Sequence, residues 1–259
     1  MSTPRLLSAA SIHLFGLGIF LAISTFSNTS ARADHPQDTS IVHFGKMHEA
    51  IGKHQDHGRV SLSKLTSQKN FYAVAALAGL HGEVTIDNGN IVITGVDDKG
   101  RIKPLPVEGD EQATMLVGAY VANWSEHKVN DEIQPADFDA FIADTAQAAG
   151  IDTDKPFVFR ITGVFTQVRM HVIHGACPIH ARMTQQELPA DEKAYESTQS
   201  KVSGSVIGVY AKDAVGSLTH PATSTHLHII YQDEESGDTV TAHVEQIGLA
   251  PDATVMFPK

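Results

Sequence analysis

The chain has one cysteine, Cys177, and one tryptophan, Trp124, in 259 residues. A lone cysteine excludes a disulfide framework and any zinc module built on paired cysteines. Basic residues are scarce too. Nineteen against thirty acidic ones give a formal net charge of −11, without the positive stripe that tracks nucleic-acid phosphates. Hydrophobic residues make up 42% and charged ones only 19%, a globular balance that excludes disorder throughout. After residue 23 no apolar run is long enough to span a membrane, and no internal repeat is visible. What is abundant is histidine. Fifteen imidazoles in an acidic, cysteine-poor chain point to metal binding or proton transfer.

The first 33 residues read as a cleaved export signal. Arg5 is the only charge before the apolar run Leu6 to Ile23, which is broken by Ser8, Ser11 and His13. Ala31-Arg32-Ala33 then supplies a small-residue cleavage pattern just before Asp34. A membrane anchor is the alternative, but the small-residue site and the polar continuation favour removal. The expected location is therefore a periplasm or the exterior, with no membrane partner after cleavage. Cys177 would be an unpaired thiol there, tolerable if buried. The length suits one large or two small domains. The expected division is an N-terminal α/β portion, 34–150, and a C-terminal β-rich portion, 151–259.

Periodicity predicts mixed α and β structure joined by antiparallel hairpins, an α+β fold. Val42 to Gly52 reads as a short amphipathic helix, with Phe44, Met47 and Ile51 at helical spacing. Phe71 to Gly79 is apolar and ambiguous between helix and buried strand. Glu83 to Ile86 and Asn90 to Thr94 flank the turn Asp87-Asn88-Gly89 as a hairpin, and Met115 to Asn123 reads as a strand. Pro135 to Gly150 is a helix by its proline near the start, early acids, one apolar face and terminal glycine. Phe157 to Ile173 is strand-rich, with Gly163 expected at a bulge or kink. Gln185 to Ser200 reads as a mobile connection or exposed helix. Three β runs follow: Gly204 to Tyr210, Thr225 to Gln232 and Thr239 to Ile247.

The last hairpin carries the chemistry. On a strand, His226 and His228 point to one side and Leu227 to the other. If the hairpin is symmetric about the Glu235–Ser236 bond, His228 faces His243 and His226 faces Glu245. Three imidazoles on one sheet face form a workable site for zinc or another borderline divalent ion, including copper or nickel, with Glu245 as a weaker candidate. A slip of one residue would turn His243 away. His171 and His174 could extend the site or simply occupy strand and loop. His35, His43, His48, His54 and His57 cluster near the mature start and read as a solvated segment rather than a second metal patch.

Gly204-Ser-Val-Ile-Gly-Val-Tyr, then Thr225-His-Leu-His-Ile-Ile, then Ala242-His243-Val244 resemble acetolactate decarboxylase. Ala78-Gly79-Leu80-His81-Gly82-Glu83 and Arg160-Ile-Thr-Gly163-Val-Phe165 resemble further segments of that family, so the likeness runs, with gaps, over most of the mature chain. It implies that His226, His228 and His243 hold a catalytic zinc, that Glu83 is an active-site acid, and that the metal lies on the C-terminal sheet. Departures accompany it. The third histidine comes four residues later than the family's spacing. The family's arginine position falls on His171, with Arg169 two residues earlier and on the same face, available as a substitute. The family's C-terminal tail, which returns a second glutamate to the site, has no counterpart before Lys259.

Decarboxylating 2-acetolactate, a 2-hydroxy-3-oxo acid, to acetoin and carbon dioxide leaves an enediolate whose charge needs an electrophile. A metal chelated by the substrate's hydroxyl and carbonyl oxygens fills that need, and three histidines leave positions open for the chelate. Glu83 would move a proton and Arg169 would hold the departing carboxylate. The sequence thus supports a zinc-dependent decarboxylase of a small-molecule substrate. The alternative is an exported metal-binding protein, or a different lyase, that kept the fold and lost this reaction. A homodimer is compatible with the sequence without being required by it.

Overall fold

A computed structural model of the chain describes residues 40–65, 68–107, 109 and 111–259. The expected export signal lies outside the described residues, as does His35. Among those described, no helix is long and apolar enough to cross a membrane.

The first sheet is built from β1 (Val42–Phe44), β2 (Val60–Ser61), β3 (Phe71–Leu77), β4 (Glu83–Asp87), β5 (Asn90–Val96), β6 (Ile102–Leu105) and β7 (Gln112–Tyr120). Its order is β1-β7-β3-β4-β5-β6, with β2 also on β7, and every pairing is antiparallel. The run Phe71–Leu77 resolves as a strand because both faces of β3 are covered. Phe71, Ala73 and Ala75 pack with Val84, Ile86 and Leu116, while Tyr72 and Val74 pack toward the other sheet. Burial on both faces erases the alternation that marks a half-exposed strand.

The second sheet begins at β8 (Trp124–Lys128) and continues with β9 (Phe157–Val172), β10 (Tyr195–Tyr210), β11 (Thr225–Gln232), β12 (Thr239–Leu249) and β13 (Thr254–Pro258). Strand β9 pairs with both β10 and β12, and β11 also pairs with both, so these four strands close on themselves. Among the described residues two α-helices accompany the sheets: α1 (Phe138–Ala148), preceded by a 3-10 turn at Pro135–Asp137, and the short α2 (Pro178–Thr184). Phe138, Ile142 and Ala146 of α1 pack into the second sheet's core with Phe157 and Phe159. The result is a two-sheet, largely antiparallel α+β fold. The chain crosses from one sheet to the other between Tyr120 and Trp124, upstream of residue 150.

Alternation on the second sheet decides where the histidines go. Val168, Met170, Leu227, Ile229, Ala242 and Val244 fill its own core. Their strand neighbours Arg169, His171, His226, His228, Thr241 and His243 therefore point the other way. The sheets dock on this face. Thr85 of β4 hydrogen-bonds the Thr241 hydroxyl, Thr94 of β5 accepts the Thr241 N–H at 2.7 Å, and Arg160 pairs with Asp87 at 2.9 Å.

Several local expectations are corrected. Val42 to Gly52 is not one helix. Val42–Phe44 pair with β7, Gly45 turns the chain at φ +67°, and only His48–Gly52 form a single π-helical turn. Sheet pairing outweighs the helical spacing of Phe44, Met47 and Ile51. Gln185 to Ser200 contains a 3-10 turn and then joins β10 from Tyr195, held by pairing with β9 in spite of its polarity. Gly163 keeps register with Gly204, so it bulges no strand against β10. At φ +144° it instead lets Ala253 approach, where an added Cβ would meet that residue's Cα at 2.9 Å.

Candidate metal and active site

His228 stands directly opposite His243 in the β11–β12 ladder, and His243 stands directly opposite His171 in the β12–β9 ladder. Three imidazoles thus form a row across three strands, and His226 lies two residues from His228 on the same face. All four are buried. The donor atoms of His226, His228 and His243 lie within 4.8 Å of one another, and their ring centroids are 5.0–5.4 Å apart. Imidazoles bound tetrahedrally to one ion at about 2.0–2.1 Å would place their centroids about 5 Å apart, so the set fits a zinc-sized ion.

Tautomers are set from behind. The Val84 carbonyl lies 3.0 Å from His228 Nδ1, and the Leu218 carbonyl lies 3.1 Å from His226 Nδ1. A carbonyl only accepts, so each Nδ1 carries the proton and each Nε2 keeps its lone pair for a ligand. Burial holds His226 neutral down to about pH 4 and pushes His228 and His243 well below the usual imidazole range. Neutral imidazole is the metal-binding form.

Glu83 faces this row from the first sheet. Its Oε2 is 3.5 Å from His228 Nε2, its Oε1 is 3.9 Å from His171 Nε2, and the Ile173 N–H donates to Oε1 at 3.3 Å. Burial pushes its carboxyl up to about 8, against the lowering effect of that N–H. A strained turn presents it. Gly79 and Leu80 have φ of +71° and +56°, and Gly82 at +154° approaches so closely that a Cβ would meet the Thr94 carbonyl oxygen at 2.5 Å. Leu80, the non-glycine among these, is clamped by packing against Ala50 and Ile173.

Behind His171 lies a second layer. Its Nδ1 is 2.8 Å from Glu245 Oε1, and Glu245 is gripped by Arg182 of α2 at 2.6 Å and by Arg169 Nε at 3.1 Å. Burial alone would raise the Glu245 carboxyl, but hydrogen bonds and charge from His171 and Arg182 together hold it down at about 2. Glu245 does not oppose His226, because the β11–β12 pairing ends at Leu227–Val244 and β12 bulges between Val244 and Gln246. The bulge turns its carboxylate toward His171.

A small cavity of about 30 Å³ joins these groups, lined by Glu83, His171, His220 and the three converging histidines, with Met47, Met115 and Cys177 among its apolar wall. Cys177 is buried, and burial raises its thiol to about 11, so it serves as wall. Arg169 does not line the cavity. It lies two residues along β9 from His171, about 6.8 Å on a strand, and ion-pairs with Glu245 instead. His174 is half-buried beside His81, outside the cavity. His43, His48, His54 and His57 are exposed and form no metal-spaced cluster among the described residues. His220 was missed by sequence reasoning. It sits in the loop before β11, where no periodicity applies, and only its closeness to His226 in the chain hinted at it.

A two-sheet α+β fold with three buried, converging histidines that could hold a metal ion, facing a buried glutamate, defines the class. Within that class, the alpha-acetolactate decarboxylase family model matches residues 46–256, and the chain belongs to that family. Its structure is similar to that of the alpha-acetolactate decarboxylase from Bacillus subtilis strain 168, with a TM-score of 0.61, 16% identity and 85% of each chain covered. It also resembles a Staphylococcus aureus protein of unknown function similar to alpha-acetolactate decarboxylase, with a TM-score of 0.56, 16% identity and 83% and 84% of the two chains covered. At these identities the likeness shows the fold alone. Among the curated proteins none matches the chain.

Proposed function

We propose that the protein is a zinc-dependent decarboxylase converting 2-acetolactate to acetoin and carbon dioxide. One observation carries the reading: in a chain of this family, His226, His228 and His243 converge across from a buried, proton-holding Glu83. A bound divalent ion would supply Lewis acidity for the negative charge left on oxygen when carbon dioxide departs. The protein does the rest. The second sheet offers three neutral imidazole nitrogens from rigid strands, so the ligand set is pre-formed. Glu83, whose carboxyl burial pushes up in the metal-free protein, is placed to hold the proton that must reach carbon to complete acetoin, and it regains one from solvent between turnovers, since each turnover consumes a proton. The apolar wall of Met47, Met115 and Ile173 keeps water from competing for that step. Arg169 acts at one remove, by fixing Glu245 and through it the His171 ring.

The test is a decarboxylase assay on protein carrying one zinc per chain, following acetoin from 2-acetolactate. Turnover in the wild type, with kcat lowered about 10²–10⁴-fold in Glu83→Gln at unchanged zinc content, supports the reading. Stoichiometric zinc without acetoin overturns it and leaves a metal-binding protein of this fold, or a different lyase.

A further inference from the structure

His220 differs from every other imidazole in the cavity. It comes from the loop between β10 and β11 rather than from a strand, yet it too is buried. Its ring centroid lies 4.8 Å from that of His243 and 6.3 Å from that of His226, against 5.0–5.4 Å within the converging three. His226 and His228 are each anchored through Nδ1 to a carbonyl, and His171 to Glu245. Among the described residues no hydrogen bond anchors the His220 ring, although its own loop is well tied. Thr219 Oγ1 donates to the Thr223 carbonyl at 2.7 Å, and Gly216 N–H donates to the Thr219 carbonyl at 2.9 Å. The backbone is thus held while the side chain is not.

The second distinguishing feature is position. A larger cavity of about 330 Å³ lies beside the histidine cavity, lined by Met47, His48, Ile51, His180, Met183 and His220. Met47, Ile51 and His220 line both spaces. Of these three, His220 alone carries a nitrogen donor. A ring nitrogen without a hydrogen bond has unused coordination capacity, and on the inner side of this wall the His220 ring meets those of His243 and His226.

We propose that His220 is a fourth, displaceable donor to the ion held by His226, His228 and His243. It would join the three by turning its ring inward past His243, and would leave when a chelating oxygen ligand arrives from the larger cavity. The exchange is balanced: one neutral nitrogen donor departs, oxygen donors of the ligand enter, and no electron or proton changes hands. Having no hydrogen bond to break, the ring can turn toward the outer cavity that it already lines. His226 and His228, pinned through Nδ1, and His243, fixed on a strand paired on both sides, cannot be exchanged at similar cost. This inference rests on the proposed metal centre and goes beyond it by assigning a residue outside the three converging histidines.

Cobalt(II) substitution tests it without reference to activity. Cobalt is loaded into the full chain, and visible absorption and cobalt affinity are compared for wild type, His220→Ala, His220→Gln and His171→Ala, with circular dichroism confirming folding. The expected result is an intense tetrahedral ligand-field spectrum in wild type. His220→Ala should alter that spectrum and weaken affinity about 10–100-fold. Adding glycolate, a small hydroxy-acid chelator, to wild type should shift the spectrum toward that of chelated His220→Ala. Unchanged spectrum and affinity in folded His220→Ala overturn the proposal while the three-histidine centre stands. So does a change on His171→Ala alone. A His220→Gln protein that behaves as His220→Ala supports nitrogen ligation, whereas one that behaves as wild type indicates packing and overturns it. Failure of the wild type to bind cobalt or zinc at all overturns the metal reading together with this one.

Discussion

Glu83 shows how one side chain can serve chemistry at the expense of stability. Its carboxyl is held up to about 8 by burial, well above the usual carboxylate value of 4.5, so the folded protein keeps a proton that the unfolded chain releases. The contribution to stability is therefore fully present below about pH 4.5 and is lost as pH rises toward about 8. The histidines have the opposite sign. His226 is held down at about 4 and His220 at about 3, each by burial, so their contribution is present above about 6.5 and is lost as pH falls. In metal-free protein, Glu83→Gln should gain stability over wild type as pH is raised from 5 to 8. Urea midpoints at the two pH values measure this. A wild-type-to-mutant difference that stays constant across the interval would show that the carboxyl is not held protonated by the fold.

At the scale of elements, what was legible in the sequence is what strand alternation carries. Thr225–Gln232 is β11 to the residue, and the β11–β12 register that opposes His228 to His243 follows from hairpin symmetry. The Asp87-Asn88-Gly89 hairpin and the helix after Pro135 follow from turn and cap chemistry. What was not legible depends on partners distant in sequence. Val42–Phe44 become a strand because β7 is there to pair with them, and the bulge at Glu245 belongs to a contact with β9. His220 reaches the cavity through a loop whose path no period encodes. Gly208 illustrates a requirement of the same kind. It sits mid-strand in β10, opposite Phe159 of β9, and an added Cβ would meet the Phe159 ring at 2.3 Å. Phe159 is fully buried among Phe157 and Phe257 and has no room to yield. Gly208→Ala should therefore cost about 1–3 kcal/mol by overpacking, read as a lower urea midpoint at unchanged slope. A neutral result would mean that β9 and β10 can separate more easily than their continuous pairing indicates.

For the whole molecule, the decisive arrangement is that the three candidate metal donors belong to one sheet while the carbonyl behind His228 and the carboxyl opposite it belong to the other. His228 is oriented by the Val84 carbonyl and faced by Glu83, both on β4, and the sheets are joined there through Thr85, Thr94 and Thr241. An ion on the second sheet therefore selects the docked state of both sheets, and its binding free energy adds to the stability of the fold as a unit. Zinc at 100 times its dissociation constant would add about 2.7 kcal/mol, on the order of 5–10 °C in Tm for a chain of this size. His228→Ala removes a donor and should abolish this gain, as should a chelator added to wild type. Glu83→Gln leaves all three donors in place, so it should keep the zinc-dependent rise while losing turnover. Scanning calorimetry of the three proteins with and without zinc distinguishes the cases. Equal zinc-induced shifts in wild type and His228→Ala would place the ion elsewhere on the protein, and loss of the shift in Glu83→Gln would move the carboxylate from proton donor to metal ligand.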